Sequence, residues 1–182
     1  MSTFRSAGPT LRPKTLTEEK DLKPRLLIAS ALLAALLLPS AQAKDIPNGG
    51  FTVADVVQWL QEEGFQAKTV KADNGDVHVN SKFEGISFSV FLLDCEKERC
   101  GSIQFAVGWK TEGKQDAAKI AEWNRDKRWG RAYLDADHDP WLEMDVDISP
   151  GGTYELLNDE FLTYRGVVQE FVKGFLPKPG AK

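Results

Sequence analysis

Large apolar residues recur near the end of the chain at alternating steps of three and four: Tyr154, Leu157, Phe161, Tyr164, Val168, Phe171 and Phe175. This spacing predicts one buried stripe on a long terminal helix, with Arg165, Gln169 and Lys173 facing water. A coiled-coil dimer seam would leave a similar pattern, but one helix of this length is expected to pack on its own sheet. An earlier helix is predicted from Val53, Val56, Val57 and Leu60, with Thr52 as cap, Asp55 three residues on, and Gly64 closing it. Residues 65–72 and 76–83 read as strands joined through Asp73-Asn74-Gly75, a strong turn signal. Glu84-Gly85 turns the chain into a strand over 86–95, and 100–110 returns. A second helix is predicted over 115–128, followed by strands at 131–134 and 141–148. Ser149-Pro150-Gly151-Gly152 then breaks the chain. The order α-ββββ-α-ββ-α predicts an α+β fold, an antiparallel sheet with helices largely on one face.

One apolar run fits neither period. Residues 26–38 offer only Ser30 as a polar side chain, follow Lys20, Lys23 and Arg25, and lead to Ala41-Gln42-Ala43. These are the three regions of a secretory signal peptide, too short to span a bilayer comfortably. Residues 1–43 are thus expected to be removed after Ala43, leaving a periplasmic or secreted protein. The lead of some twenty residues is long for such a signal, and a start near Leu22 at a non-ATG codon is the alternative. With no Arg-Arg pair and no Cys after the run, the product is expected to be soluble and without membrane insertion. Residues 44–50 read as a flexible lead-in, 51–176 as one domain and 177–182 as a disordered tail.

Of the 23 Lys/Arg and 27 Asp/Glu, six and three fall within residues 1–43, so the remaining chain carries a net charge of −7. No basic stripe for nucleic acid is present.

Cys95 and Cys100 are the only cysteines. If they face each other across a hairpin, Leu92 meets Ile103, Val90 meets Phe105, Phe88 meets Val107 and Ile86 meets Trp109. Shifting by one residue would destroy this match. Register and oxidising compartment together predict a structural disulfide. A redox pair would normally be Cys-x-x-Cys, and a zinc site would need two more ligands that His78 and His138 do not obviously supply.

The densest stretch runs from Trp123-Asn124 through Arg128, Arg131-Ala132-Tyr133 and the acidic turn Asp135-Ala136-Asp137-His138-Asp139 to Leu142-Glu143-Met144-Asp145-Val146-Asp147. It resembles the signature of the YbjN domain family, and with the element order the resemblance covers roughly residues 51–176. It implies a fold similar to type III secretion chaperones, no established catalysis, no cofactor, and a sensory-transduction or regulatory label. Trp123, Asn124, Arg128, Tyr133, Glu143 and Asp145 are then motif residues of structural kind. The chain departs from cytoplasmic members in its signal peptide and its hairpin cysteines.

Read as a hairpin, the same residues pair Leu134 with Leu142, Ala132 with Met144, Arg131 with Asp145 and Tyr133 with Glu143. Trp123 and Trp129 are expected to pack the second helix on the sheet, and Asn124 to bond backbone at the helix end. Asp135-x-Asp137-x-Asp139 invites a calcium reading. An EF-hand loop, however, needs Gly at its sixth position and Glu at its twelfth, where Pro140 and Val146 stand, so no metal is expected. No Ser-His-Asp set or Gly-rich phosphate loop appears, and no catalytic residue is assigned.

The strand alternation places Phe91 and Leu93 on the face opposite the helices, beside His78, Asn80, Ser89, Gln104, Arg131 and Tyr133, with His78 as a lone surface histidine. Two large apolar residues there predict a contact surface for an unknown protein or peptide, or a homodimer. Its alternative is a first helix or N-terminal segment folded over them. The function expected is a non-enzymatic exported interaction module. A small hydrolase using His138 with Asp135, Asp137 or Asp139, or a calcium-dependent module on that turn, is the alternative.

Overall fold

The computed structural model describes residues 43–111 and 115–175. The expected signal peptide, the alternative start and the tail at 177–182 lie outside the described residues, apart from the edge of the cleavage site at Ala43.

The element order is α1 (Val53–Glu62), β1 (Ala67–Lys71), β2 (Val77–Phe83), β3 (Ile86–Glu96), β4 (Arg99–Gly108), α2 (Ala117–Asp126), β5 (Arg131–Leu134), β6 (Pro140–Asp147) and α3 (Tyr154–Phe175). This is the α-ββββ-α-ββ-α order the pattern predicts. The strands form one antiparallel sheet in the order β1-β2-β3-β4-β6-β5.

Local chemistry sets the element ends. Thr52 accepts from the Asp55 amide at 3.2 Å while its own amide donates to Asp55 Oδ2 at 2.9 Å, a reciprocal capping box. Asp116 caps α2 through the Ala118 amide, so that helix starts two residues later than the pattern suggests. Glu84 and Gly85 both take positive φ, 47° and 84°, as a two-residue hairpin between the paired Phe83 and Ile86 requires.

The core lies between the sheet and the helices. Phe105 on β4 sits within ring contact of Phe88, Trp59, Phe161 and Tyr164, so strands and two helices share one aromatic cluster. In α3 the buried residues are Leu157, Phe161, Tyr164, Val168, Phe171 and Phe175, the predicted stripe but for its first member, Tyr154, which is half-buried. Its predicted polar face is corrected in part. Arg165 and Gln169 are half-buried and reach Glu84 in the β2–β3 turn, Arg165 also lying over Phe65 and Phe83; only Lys173 is fully exposed. A long side chain beside an apolar stripe covers it with its stem and finds a charge at its tip.

The 44–50 stretch, expected as a flexible lead-in, joins the fold. Ile46 is buried and its amide donates to Gly152 O at 2.9 Å, while Lys44 O accepts from Tyr154 N. Phe51 bridges Cys100, which brings Gly50 against that strand: a Cβ at Gly50 would overlap Cys100 O, and its φ of +84° also excludes most side chains. Arg99 fixes this corner, donating to Gly50 O at 2.7 Å and pairing with Asp55.

Candidate functional site

The sheet face turned away from the core is ordered in rows by the pairing. Lys68, Asn80, Ser89, Ala106, Glu143 and Arg131 form one row across all six strands. A second contains Val70, His78, Phe91, Gln104 and Asp145. A third ends in Gly108, Trp141 and Tyr133. The neighbouring row on the other face, Val79, Val90, Phe105 and Met144, is core.

Every residue placed on the open face by alternation is found on it. Phe91 is half-buried and Leu93 is 37% exposed. His78 is not a lone surface histidine: its ring centroid lies 5.0 Å from that of Phe91 and its Nδ1 is buried. Trp141, at the start of the strand expected over 141–148, completes the surface. Its indole lies over Gly108, where a Cβ would overlap it, and Nε1 donates to Asp135 Oδ2 at 3.1 Å. Tyr133 stacks beside it at 6.4 Å and 12°. One depression takes in Phe91, Tyr133 and Trp141 from this face and continues past the Cys95–Cys100 hairpin end to Thr52 and Val53 at the start of α1. The signal for Trp141 was its parity with Glu143 and Asp145 on one strand.

The β5–β6 register differs from the one expected. Arg131 pairs with Glu143, Ala132 with Leu142, Tyr133 with Trp141 and Leu134 with Pro140, two residues from the predicted match. Asp135 drives the tighter turn, its Oδ1 accepting from the amides of Asp137 and Asp139 at 3.0 and 2.9 Å while Asp135 N donates to Asp139 O. An even slip keeps every side chain on its expected face. Glu143 therefore receives both the Arg131 guanidinium and the Tyr133 hydroxyl. Burial, and then the Glu143 carboxylate, push the Tyr133 phenol up to about 12.

Most motif residues serve the fold. Trp123 is buried against Phe171 and its Nε1 donates to Gly130 O at 3.2 Å. Asn124 satisfies both backbone groups of Ala132: Nδ2 donates to its carbonyl and Oδ1 accepts from its amide, each at 2.9 Å. Asp145 accepts from Gln104 at 2.8 Å. Trp129 departs from expectation, standing 41% exposed with Arg128 stacked on it rather than packing α2 on the sheet.

At the acidic turn the carboxylates of Asp135, Asp137 and Asp139 converge within 4.8 Å. Lys110, missed by sequence because it lies on a distant segment, places Nζ 3.0 Å from Asp137 and 2.8 Å from Asp139. Asp139 is buried and also accepts from the Thr111 amide and hydroxyl. Its bond to Lys110, and then to the Thr111 amide, hold its carboxyl below the usual range, while the two carboxylates raise Lys110. Backbone bonding, chiefly from Asp139, lowers Asp135 likewise. An ammonium thus sits against two of the three carboxylates, and Oδ1 of the third, Asp135, holds the turn. His138 is exposed at the tip with φ 65°. It does not line the depression that takes in Tyr133 and Trp141.

Cys95 and Cys100 are disulfide-bonded across the β3–β4 hairpin, in the expected register with Leu92 opposite Ile103 and Val90 opposite Phe105. The paired ladder ends at Ser89 and Ala106, short of the two outermost pairs predicted.

Residues 52–176 match the YbjN family, described as a "putative bacterial sensory transduction regulator". No curated protein and no solved structure matches the chain.

Proposed function

We propose that this chain, which belongs to the YbjN family over residues 52–176, is an exported, non-enzymatic binding module of regulatory kind that acts through the open face of its sheet. The observation that carries this reading is the presence of Phe91, Leu93, Tyr133 and Trp141 on the face opposite the core, where a one-sided antiparallel sheet ordinarily keeps polar residues. Trp141 and Tyr133 are held by Asp135 and Glu143, so the surface is preorganised and ordering it costs little on contact. The family description supports a regulatory role, and the disulfide suits an oxidising compartment.

Phe91→Lys tests the reading. On an interaction surface the variant keeps its far-ultraviolet spectrum, loses less than about 1 kcal/mol of stability, and no longer associates with its partner. If Phe91 belongs to a covered core, the loss is roughly 3–5 kcal/mol or more and the domain expresses poorly. Unfolding of Phe91→Lys would end the interface reading.

A further inference from the structure

We propose that the partner of the open sheet face is a basic amphipathic helix, with its apolar side on Phe91 and Leu93 and its lysine or arginine side chains on Asp145 and Asp147. The inference rests on the reading of that face as an interaction surface and names the chemistry of what covers it.

The strand registers set the two kinds of residue side by side. Phe91 pairs with Gln104 and Gln104 with Asp145, so Phe91 and Asp145 stand two strands apart, about 10 Å. Leu93, Ser102 and Asp147 repeat this arrangement in the next row. On β4, between them, Ser102 and Ala106 are small and buried, and Gln104 is bonded to Asp145 at 2.8 Å. A shallow trough thus follows β4, with an apolar wall on β3 and an acidic wall on β6.

Charge names the partner on that acidic wall. The Asp145 and Asp147 side chains are exposed, and among the described residues neither has a Lys or Arg within ion-pair distance. One row away, Arg131 shows what a cation does on this surface: it pairs with Glu143 while lying 5.4 Å over the Tyr133 ring. Lys68 and Lys82 stand on β1 and β2, beyond β3, and turn a basic partner toward β6. An acidic partner would be repelled by Asp145 and Asp147. A basic segment without apolar residues would leave Phe91 and Leu93 uncovered.

The polar groups of the face select a helix over an extended strand. Asn80 is bonded to Ser89, Ser102 to Asp94, Gln104 to Asp145 and Tyr133 to Glu143. An extended segment laid across them would bury amides with nothing left to bond, whereas a helix satisfies its own. The spacing agrees. Asp145 and Asp147 are two strand residues apart, about 7 Å, close to the turn of about 5.4 Å that separates i and i+4 on a helix. From Trp141 to Asp147 the outward row spans about 20 Å, the length of a helix of about 14 residues.

Fluorescence anisotropy on the full chain, as the cell processes it, tests the proposal with labelled peptides of about 14 residues. The probes are a peptide with Leu at helical spacing and Lys on its flanks, the same peptide with Glu for Lys, and the Leu/Lys peptide with two central prolines. The wild type is expected to bind the Leu/Lys peptide at least about tenfold more tightly than either of the others, and more weakly as salt rises. Asp145→Lys with Asp147→Lys should reverse the preference between the Lys and Glu peptides while keeping the wild-type spectrum and melting temperature. Should the double variant melt early, Asp147→Lys alone should cut the preference at least about threefold. Equal binding of the Lys and Glu peptides, equal binding of the helical and proline peptides, or no binding of the Leu/Lys peptide overturns the proposal. If Phe91→Lys stays folded while the Leu/Lys peptide fails, only the partner's chemistry is wrong and the open-face reading stands; if Phe91→Lys unfolds, both fail.

Discussion

Asn124 uses both ends of its side-chain amide on Ala132, occupying the outer edge of β5 as a neighbouring strand would. An edge strand with free backbone groups templates unwanted pairing, and a single amide at its centre blocks that. Asn124→Ala removes two hydrogen bonds and is expected to cost about 1–2 kcal/mol in urea unfolding, with increased aggregation; unchanged stability and solubility would count against the edge-blocking role. The acidic turn makes a second prediction. Asp139 and Asp135 have lowered folded values, so their contribution is present above the ordinary aspartate range near 3.9 and is lost as pH falls through those lower values. Asp139→Asn should therefore melt several degrees below wild type at neutral pH, with the gap closing as pH falls below the ordinary aspartate range. A gap independent of pH would contradict the assignment. Lys110, whose value is raised, contributes below its unfolded range and loses that contribution only in strong alkali. Because this ammonium already bridges Asp137 and Asp139, millimolar calcium is expected to leave the melting temperature of the wild type unchanged. A rise of several degrees that Asp137→Ala abolishes would restore the metal reading.

Among the elements, those whose signal is local were the most legible. The α3 stripe and the β3–β4 hairpin each carry their own period, and the hairpin adds an independent check in its cysteines, so both were placed in register. The β5–β6 hairpin was placed two residues out because apolar matching cannot tell one even register from the next. The choice lies with the Asp135 carboxylate, which gathers two amides and sets the loop length. Residues 44–50 looked loose because Gly and Pro dominate them, yet Ile46 and Phe51 are pulled into the core by partners about a hundred and about fifty residues away. The hairpin disulfide closes a short loop, for which chain entropy gives about 2 kcal/mol. Reduction should lower stability by about that amount without unfolding the domain. Intact mass before and after alkylation should show two thiols only once reductant is added, and two reactive thiols in the untreated native protein would contradict the oxidised state.

At the scale of the whole molecule, the face parity of Phe91, Leu93 and Tyr133 was legible from alternation, whereas the strand order was not. It sets β6 between β4 and β5, a pairing across a helix and a turn that no local pattern announces. The same long-range view bears on where the mature chain should begin. Among the described residues no helix is long and apolar enough to cross a membrane, and the compact unit runs from Ala43 onward. Lys44 lies at its edge but is already tied in, its carbonyl accepting from Tyr154 and its amide donating to Glu155 Oε1 at 3.1 Å. Processing beyond Ile46 would strip a buried side chain and the bridge between Asp45 and Thr153 from the start of α3. Processing before residue 26 would leave the apolar run attached to the folded domain. Between these bounds Ala41-Gln42-Ala43 supplies the small residues a signal peptidase reads. N-terminal sequencing of the protein from its native compartment is therefore expected to begin at Lys44. A chain retaining residues upstream of Leu26 would remove the basis for export, and one beginning beyond Ile46 would mean that the docked arm is dispensable to the fold.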